Sequence, residues 1–315
     1  VREAIEFLER GVRDGVFPSA QLLVAEAGRV LLYDAAGAAT TSTPFDLASL
    51  TKPLATTLLA MHLHDRGVLD LDAPVPQRPE VTARQLLSHS AGFPAHRRYW
   101  EDPRAKTRAD FFALAAREPL EFPPGSQSVY SDVGFLVLGA LVEQLGCATL
   151  DRQLFALEPR GPQYPTAPLP DAAPTEGDVR GIVHDENARA MGGVAPHAGL
   201  FGDAHDVHVR LLAINQLISA RTRALFFTAQ PNTTWGLGWD HPSPPPAYSS
   251  AGSRFPRSGV GHLAFTGCSI WMDPARAFWI ILLSNRIHPS RDNQKIRAFR
   301  PLLHDAVLDL LTHRT

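Results

Sequence analysis

The segment Phe45-Asp46-Leu47-Ala48-Ser49-Leu50-Thr51-Lys52-Pro53-Leu54-Ala55-Thr56 places a serine three residues before a lysine. Apolar residues then recur at helical spacing over 50–66, and Gly67 supplies a stop. Pro53 falls in the first turn, where its missing N–H loses no bond. Ser49 is therefore expected at a helix N-terminus, with Lys52 on the same face one turn later. A lone serine hydroxyl is a poor nucleophile near neutral pH and needs an adjacent base. Lysine serves if burial or nearby positive charge lowers its pKa. The helix terminus favours negative charge developing beside it. The plain alternative is a surface serine and a solvated lysine. Only three of the 30 basic residues are lysines, Lys52, Lys106 and Lys295, so one at this position is less expected by accident.

Outward from this segment, the chain reads as an ordinary globular protein. Its 315 residues are 44% hydrophobic and 20% charged, with a net charge of -2. That balance gives no nucleic-acid footprint and no acidic tail. No apolar run reaches the length of a membrane span, and no signal peptide opens the stretch, whose numbering begins at Val1. Cys147 and Cys268 are expected to be buried free thiols.

Arg2–Arg13 reads as an amphipathic helix through Ile5, Leu8 and Val12. Apolar stretches at 21–25 and 30–33 around Glu26-Ala27-Gly28-Arg29 predict a hairpin, as do 269–272 and 278–283 around Asp273-Pro274-Ala275-Arg276. Residues 81–157 are expected to be mostly helical, broken by loops such as Glu121-Phe122-Pro123-Pro124-Gly125. The proline-rich stretch 161–174 reads as an irregular connection. Leu302, Leu303, Val307, Leu310 and Leu311 make the stripe of a terminal helix over 301–311. Strands and helices at both ends with helices between them predict an α/β fold, an antiparallel sheet flanked by helices with a helical insertion domain. The expected division is a discontinuous α/β domain of 1–52 and 180–315, a mainly helical domain of 53–179, and a cleft between them.

Two further elements belong with Ser49 and Lys52. Tyr130-Ser131-Asp132 lies between a Pro-Gly loop and an apolar stretch. A tyrosine at such a junction can present its hydroxyl to a cleft, and a nearby ammonium makes phenolate less costly. Most tyrosines in such places simply pack the ring and wet the hydroxyl. Gly261-His262-Leu263-Ala264-Phe265-Thr266-Gly267 leads into the late hairpin, where small residues on a strand edge let a substrate backbone approach; the alternative is a plain turn into a strand.

In order and spacing, the three elements resemble the family of class C β-lactamases, serine esterases and D-Ala-D-Ala peptidases. That family carries S-x-x-K near the N-terminus, Y-x-N in the middle and K-T-G or H-x-G on a late strand. Leu86-Leu87-Ser88-His89-Ser90-Ala91-Gly92-Phe93, His184-Asp185-Glu186-Asn187-Ala188, His197-Ala198-Gly199-Leu200-Phe201, Trp235-Gly236-Leu237-Gly238-Trp239 and Leu283-Ser284-Asn285-Arg286 match its phrases as well. The resemblance spans nearly the whole chain and has the flavour of the penicillin-binding-protein-4B-like and YbbE-like branch. It implies a β-lactamase/transpeptidase-like fold, catalysis by Ser49, Lys52 and Tyr130, and substrate contacts from Asp132, His262, Ala264 and Phe265. It also implies no cofactor or metal, a small-molecule or peptidoglycan-type peptide substrate, and an extracytoplasmic setting, secreted or periplasmic. The implied oxyanion donors are the backbone N–H groups of Ser49 and Phe265.

Four departures stand out: Asp132 where relatives carry Asn, Ala264 where Gly is usual, His262 in place of the Lys of true β-lactamases, and Pro196 before His197. Ser131-Asp132 also reads as the start of the S-D-N motif of class A enzymes, but the Tyr130 register agrees better with the flanking phrases. Two other functions compete. A metal hydrolase would draw on the 13 histidines, but His62 and His64 face different ways on a helix and His184-Asp185-Glu186 lacks a recognised ligand spacing. A non-hydrolytic penicillin-recognising sensor is the second, since folds are reused.

Overall fold

The computed structural model describes residues 2–231 and 233–312. Chain order begins with helix α1 (Arg2–Arg13), the hairpin β1 (Ser19–Glu26) and β2 (Arg29–Gly37), and the short strand β3 (Phe45–Asp46). Helix α2 (Leu58–Asp65), strands β4 (Pro74–Val75) and β5 (Arg78–Thr82), and helices α3 (Ala83–Leu87), α4 (Arg108–Arg117), α5 (Asp132–Gly146) and α6 (Leu150–Leu157) follow. Next come β6 (Pro174–Glu176), β7 (Val179–Arg180), α7 (Glu186–Ala190), β8 (Phe201–Gly202), α8 (Ala204–Leu217) and α9 (Ala220–Phe227). The chain closes with β9 (Val260–Leu263), β10 (Ser269–Asp273), β11 (Phe278–Ser284) and α10 (Ile296–Thr312).

The main sheet has five strands in the order β2-β1-β11-β10-β9, each pair antiparallel. The first and last parts of the sequence are thus joined at its centre, with Leu22 opposite Leu282. Side chains alternate across a strand, so β1 feeds two cores. Leu22 and Val24 pack with Leu8, Phe17, Phe299 and Leu303 under α1 and α10. Leu23 and Ala25 pack on the opposite face with Val207 and Leu211 of α8, in a core that runs on through α2 and α5. Burial on both faces explains why β11 is apolar throughout rather than alternating. The β1–β2 turn places Ala27 at φ 48° and Gly28 at φ 81°, the left-handed pair that a two-residue hairpin needs.

Four sequence expectations are refined. The helix over 50–66 winds in three ways: a 3-10 turn at Ala48–Leu50, a π-helical stretch at Lys52–Thr57, then α2. Helices cover only about half of 81–157, because the loops that separate α3, α4 and α5 are long. Their backbone groups bond to one another instead, as in Gly125 N to Ser90 O at 2.7 Å and Asp132 N to Ala95 O at 2.9 Å. The last helix begins at Ile296 and carries Pro301 inside it. An interior proline costs about 3 kcal/mol. The preceding turn is held by Phe299, whose ring meets Phe7 at 5.1 Å and Phe17 at 5.2 Å. The Leu311 side chain, expected in that helix's stripe, lies outside the described residues. Of the two free thiols, Cys268 is buried but Cys147 is exposed, against expectation. It sits at φ 53° on the C-terminus of α5, where the chain turns outward.

Candidate active site

The Ser49 segment is set by a buried carboxylate. Asp46 Oδ1 accepts from Ala48 N at 2.8 Å and its Oδ2 from His184 N at 2.7 Å. Thr266 Oγ1 donates to the Asp46 carbonyl at 3.0 Å. Ala48 is thereby held at φ 42°, a conformation a non-glycine residue adopts only when its surroundings over-determine it. The bend turns Ser49 into a cavity at the start of the first helical turn. Burial pushes the Asp46 carboxyl up to about 6, against the two backbone donors and His184.

Lys52 is fully buried one turn later. Its Nζ donates to Ser49 Oγ at 3.2 Å and to the His197 carbonyl at 3.2 Å, and it pairs with Asp132 Oδ1 at 2.6 Å. The ammonium also lies 4.7 Å from the Tyr130 ring centre and 5.6 Å from that of Phe135. Burial works to lower the Lys52 pKa, but Asp132 and then Tyr130 outweigh it and leave it above its ordinary value. Burial works to raise Asp132, and the Lys52 charge outweighs that, holding the carboxyl far below its usual range. The two directions agree on an ammonium–carboxylate pair.

Tyr130 comes from the loop before α5, which Ser131 caps through its Oγ on Gly134 N at 2.9 Å. The phenol is pushed up by burial, with Lys52 opposing. Its hydroxyl is buried and faces the Lys52 ammonium and the Ser49 hydroxyl, both of which act to lower the phenol. The ring is gripped by His89 at 4.6 Å, Trp235 at 5.7 Å and His262 at 6.0 Å between centres. His89 Nδ1 accepts from Ser131 N at 3.1 Å, so its proton is on Nε2. His262, on edge strand β9, has the opposite tautomer: its Nδ1–H donates to the Leu263 carbonyl at 2.8 Å, leaving Nε2 as a buried acceptor without a partner. Burial and then the Lys52 charge push His262 down to about 3, and the same two causes hold His89 well below its ordinary value.

These groups open on a cavity of about 780 Å³ lined by Ser49, Tyr130, Asp132, His262, Ala264 and Phe265 among others. All six are residues singled out in the sequence, and Lys52 lies beneath Ser49. Ala264 closes the turn after β9, donating to the Cys268 carbonyl at 2.8 Å. The Phe265 N–H makes no hydrogen bond among the described residues, and its ring is 45% exposed at the cavity rim. The suspected metal cluster is divided among three partners: His184 Nε2 meets Glu176 at 2.6 Å, Asp185 meets His197 Nε2 at 2.9 Å, and Glu186 meets Arg291 at 3.3 Å.

Asp46 and the ring contacts of His89 and Trp235 were missed in the sequence. The last two stood in phrases quoted only for resemblance. The signal for Asp46 was its place three residues before the serine, with nothing local to show what it would hold.

The family profile described as Beta-lactamase matches residues 4–304. A protein of Salmonella agona that bears the name D-alanyl-D-alanine carboxypeptidase is 30% identical, over 90% of this chain and 82% of its own length. The crystal structure of SurE with D-Leu superposes with a TM-score of 0.74 at 26% identity, covering 98% of this chain and 76% of that one. EstCE1, described as a hydrolase with promiscuous acyltransferase activity, gives a TM-score of 0.77 at 22% identity over 97% of each chain. The expected β-lactamase/transpeptidase-like fold, with its antiparallel sheet and flanking helices, is thus the fold observed.

Proposed function

The chain belongs to the β-lactamase family as a serine hydrolase, and on that footing we propose that it cleaves the amide bond of D-amino-acid peptides or the acyl–oxygen bond of small esters through a Ser49 acyl-enzyme. The carrying observation is the convergence of Ser49 Oγ, Lys52 Nζ and the buried Tyr130 hydroxyl on one cavity wall. The resting site holds an ammonium and a phenol, so the reactive form has one proton fewer and grows as pH rises. In that form Lys52 and Tyr130 take the Ser49 proton as Oγ bonds to the carbonyl carbon. The oxyanion sits between the N–H groups of Ser49 and Phe265. Tyr130 then protonates the leaving amine or alcohol as its bond to carbon breaks, and water resolves the ester with the same pair as base. Asp132 sets the Lys52 charge, and His262 Nε2 accepts from a substrate N–H. The peptide class is favoured by the name of the Salmonella agona relative and by the D-Leu bound in SurE.

The test is intact-protein mass spectrometry after incubation with p-nitrophenyl acetate and, separately, a fluorescent penicillin. The wild type should gain an acyl mass and turn over the ester, and Ser49→Ala should do neither. An adduct that survives Ser49→Ala removes the nucleophile from the scheme. The penicillin sample distinguishes a site that accepts peptide mimics from one confined to esters.

A further inference from the structure

Behind the turn that carries Phe265 lies a second cavity, of about 580 Å³. Arg286, Arg297 and Arg300 line it, with Tyr248, Ser250 and Gln294, and no carboxylate does. Among the described residues, none of the three arginines forms an ion pair with an Asp or Glu. Glu176, whose field reaches Arg286, is taken up by Arg291 at 2.5 Å and His184 at 2.6 Å.

Two of these cations are deeply buried, Arg300 at 4% and Arg286 at 6% exposure. Arg300 Nη2 donates to the Gly267 carbonyl at 2.8 Å, while its Nε is buried with no partner. Arg286 Nε donates to the Phe265 carbonyl at 3.0 Å and its Nη1 to that of Asn293 at 2.5 Å. Carbonyl dipoles satisfy some of the N–H groups but leave the charges uncancelled, and a buried charge without a counter-charge is expensive. The neighbouring acids give no help: burial raises Tyr248 and pushes the Cys268 thiol up to about 11, so both are neutral near pH 7. Arg300, pushed down to about 10 by burial, is still charged there. A guanidinium offers a planar fork of donors that matches an oxyanion.

We propose that this cavity binds a small oxyanion, a phosphate or a carboxylate, clamped by Arg286, Arg297 and Arg300 beside the Ala264–Cys268 turn. Its lining shares only Leu263 and Ala264 with the cavity that Ser49 enters. It would place the anion against two arginines that hold the Phe265 and Gly267 carbonyls.

The test is isothermal titration of the whole chain at low ionic strength with inorganic phosphate and, separately, with acetate. At least one should bind at a single site and weaken as salt is added. Arg297→Ala removes an exposed guanidinium and should weaken binding about tenfold or more, the size of one charged hydrogen bond. Arg300→Gln should do the same, and Arg29→Ala, on the β1–β2 turn, should bind like the wild type. If Arg300→Gln does not fold by circular dichroism, Arg297→Ala decides alone. Phosphate without acetate assigns a tetrahedral ligand, and the reverse assigns a carboxylate. Failure of both to bind well above millimolar concentration, or variants that bind like the wild type, overturns the proposal.

Discussion

Asp132→Asn separates the charge of the site from its shape. Asn keeps the size and one acceptor oxygen, but removes the negative charge 2.6 Å from Lys52 Nζ. Asp132 is the first of the groups that raise Lys52, so its loss lowers the Lys52 pKa and increases the amine fraction at neutral pH. A unit charge at that distance interacts by about 2 kcal/mol with full water screening and about 6 kcal/mol at an effective dielectric of 20. The pair is buried on the lysine side and 20% exposed on the aspartate side, so the smaller figure is a floor. That floor corresponds to roughly tenfold or more in amine population. The assay is kcat/KM for p-nitrophenyl acetate from pH 5 to 10 on both proteins. The variant should show its rising limb at lower pH and exceed the wild type by roughly tenfold or more at pH 7. Equal plateaus at high pH would mark the effect as protonation rather than geometry. A variant that loses activity at every pH, with its limb unmoved, would refute the reasoning and give the carboxylate a direct part in the chemistry.

The same substitution bears on acid stability. Asp132 has a folded pKa below its unfolded value, so its contribution is fully present above the unfolded value of about 4 and fades as pH falls below it. Asp132→Asn should therefore flatten the fall of the melting temperature below pH 4, and a fall as steep as the wild type's would count against the pair. His262, at about 3, is neutral throughout the assay range. His262→Gln should raise KM for amide substrates without moving the pH profile, and loss of a limb between pH 6 and 7 would show that the imidazole titrates. A methyl at Gly139 on α5 would stand 2.5 Å from Pro196 Cβ, next to the residue whose carbonyl holds Lys52. Gly139→Ala should cost about 1–3 kcal/mol in urea denaturation, as overpacking does, and unchanged stability would mean that Pro196 moves freely. Exposed Cys147 should react with a thiol reagent in the native state, while buried Cys268, with its pKa raised, reacts only after unfolding; two native thiols would refute that burial.

What was legible in the sequence was local. The hairpins showed through turn residues and alternation, and Ser49 with Lys52 showed because one helical turn brings them together whatever the rest of the fold does. Tyr130 and His262 were legible only as motifs, since nothing near them in sequence says that their rings meet at 6.0 Å. The least legible contacts are those the topology makes. The carbonyl that holds Lys52 belongs to His197, 145 residues away, and the hydroxyl on the Asp46 carbonyl belongs to Thr266, 220 residues away. The loops within 81–157 were legible only where Pro and Gly punctuate them, as at 121–125, because apolar residues without a clear period fit a packed loop and a packed helix alike.

The Asp132 departure shows what such long-range placement does to chemistry. As a sequence feature it is one atom's difference from Asn and was expected to touch substrate. In the fold its Oδ1 faces the buried ammonium, and its Oδ2 lies 3.6 Å from His96 Nδ1, whose pKa it raises. One carboxylate therefore faces two basic groups at the cavity, Lys52 beneath Ser49 and the half-buried His96. On the proposed acyl-enzyme route, with Lys52 held as ammonium, the charge on Ser49 Oγ in the transition state would be stabilised by a cation 3.2 Å away, but the proton would have to leave by another route or await a rarer form of the site. Tyr130 is the group placed for that route, since its buried hydroxyl faces both Ser49 and Lys52. On the same proposed route, a substrate would meet the neutral wall of His262, Trp235 and Phe265, which line the cavity above the charged floor.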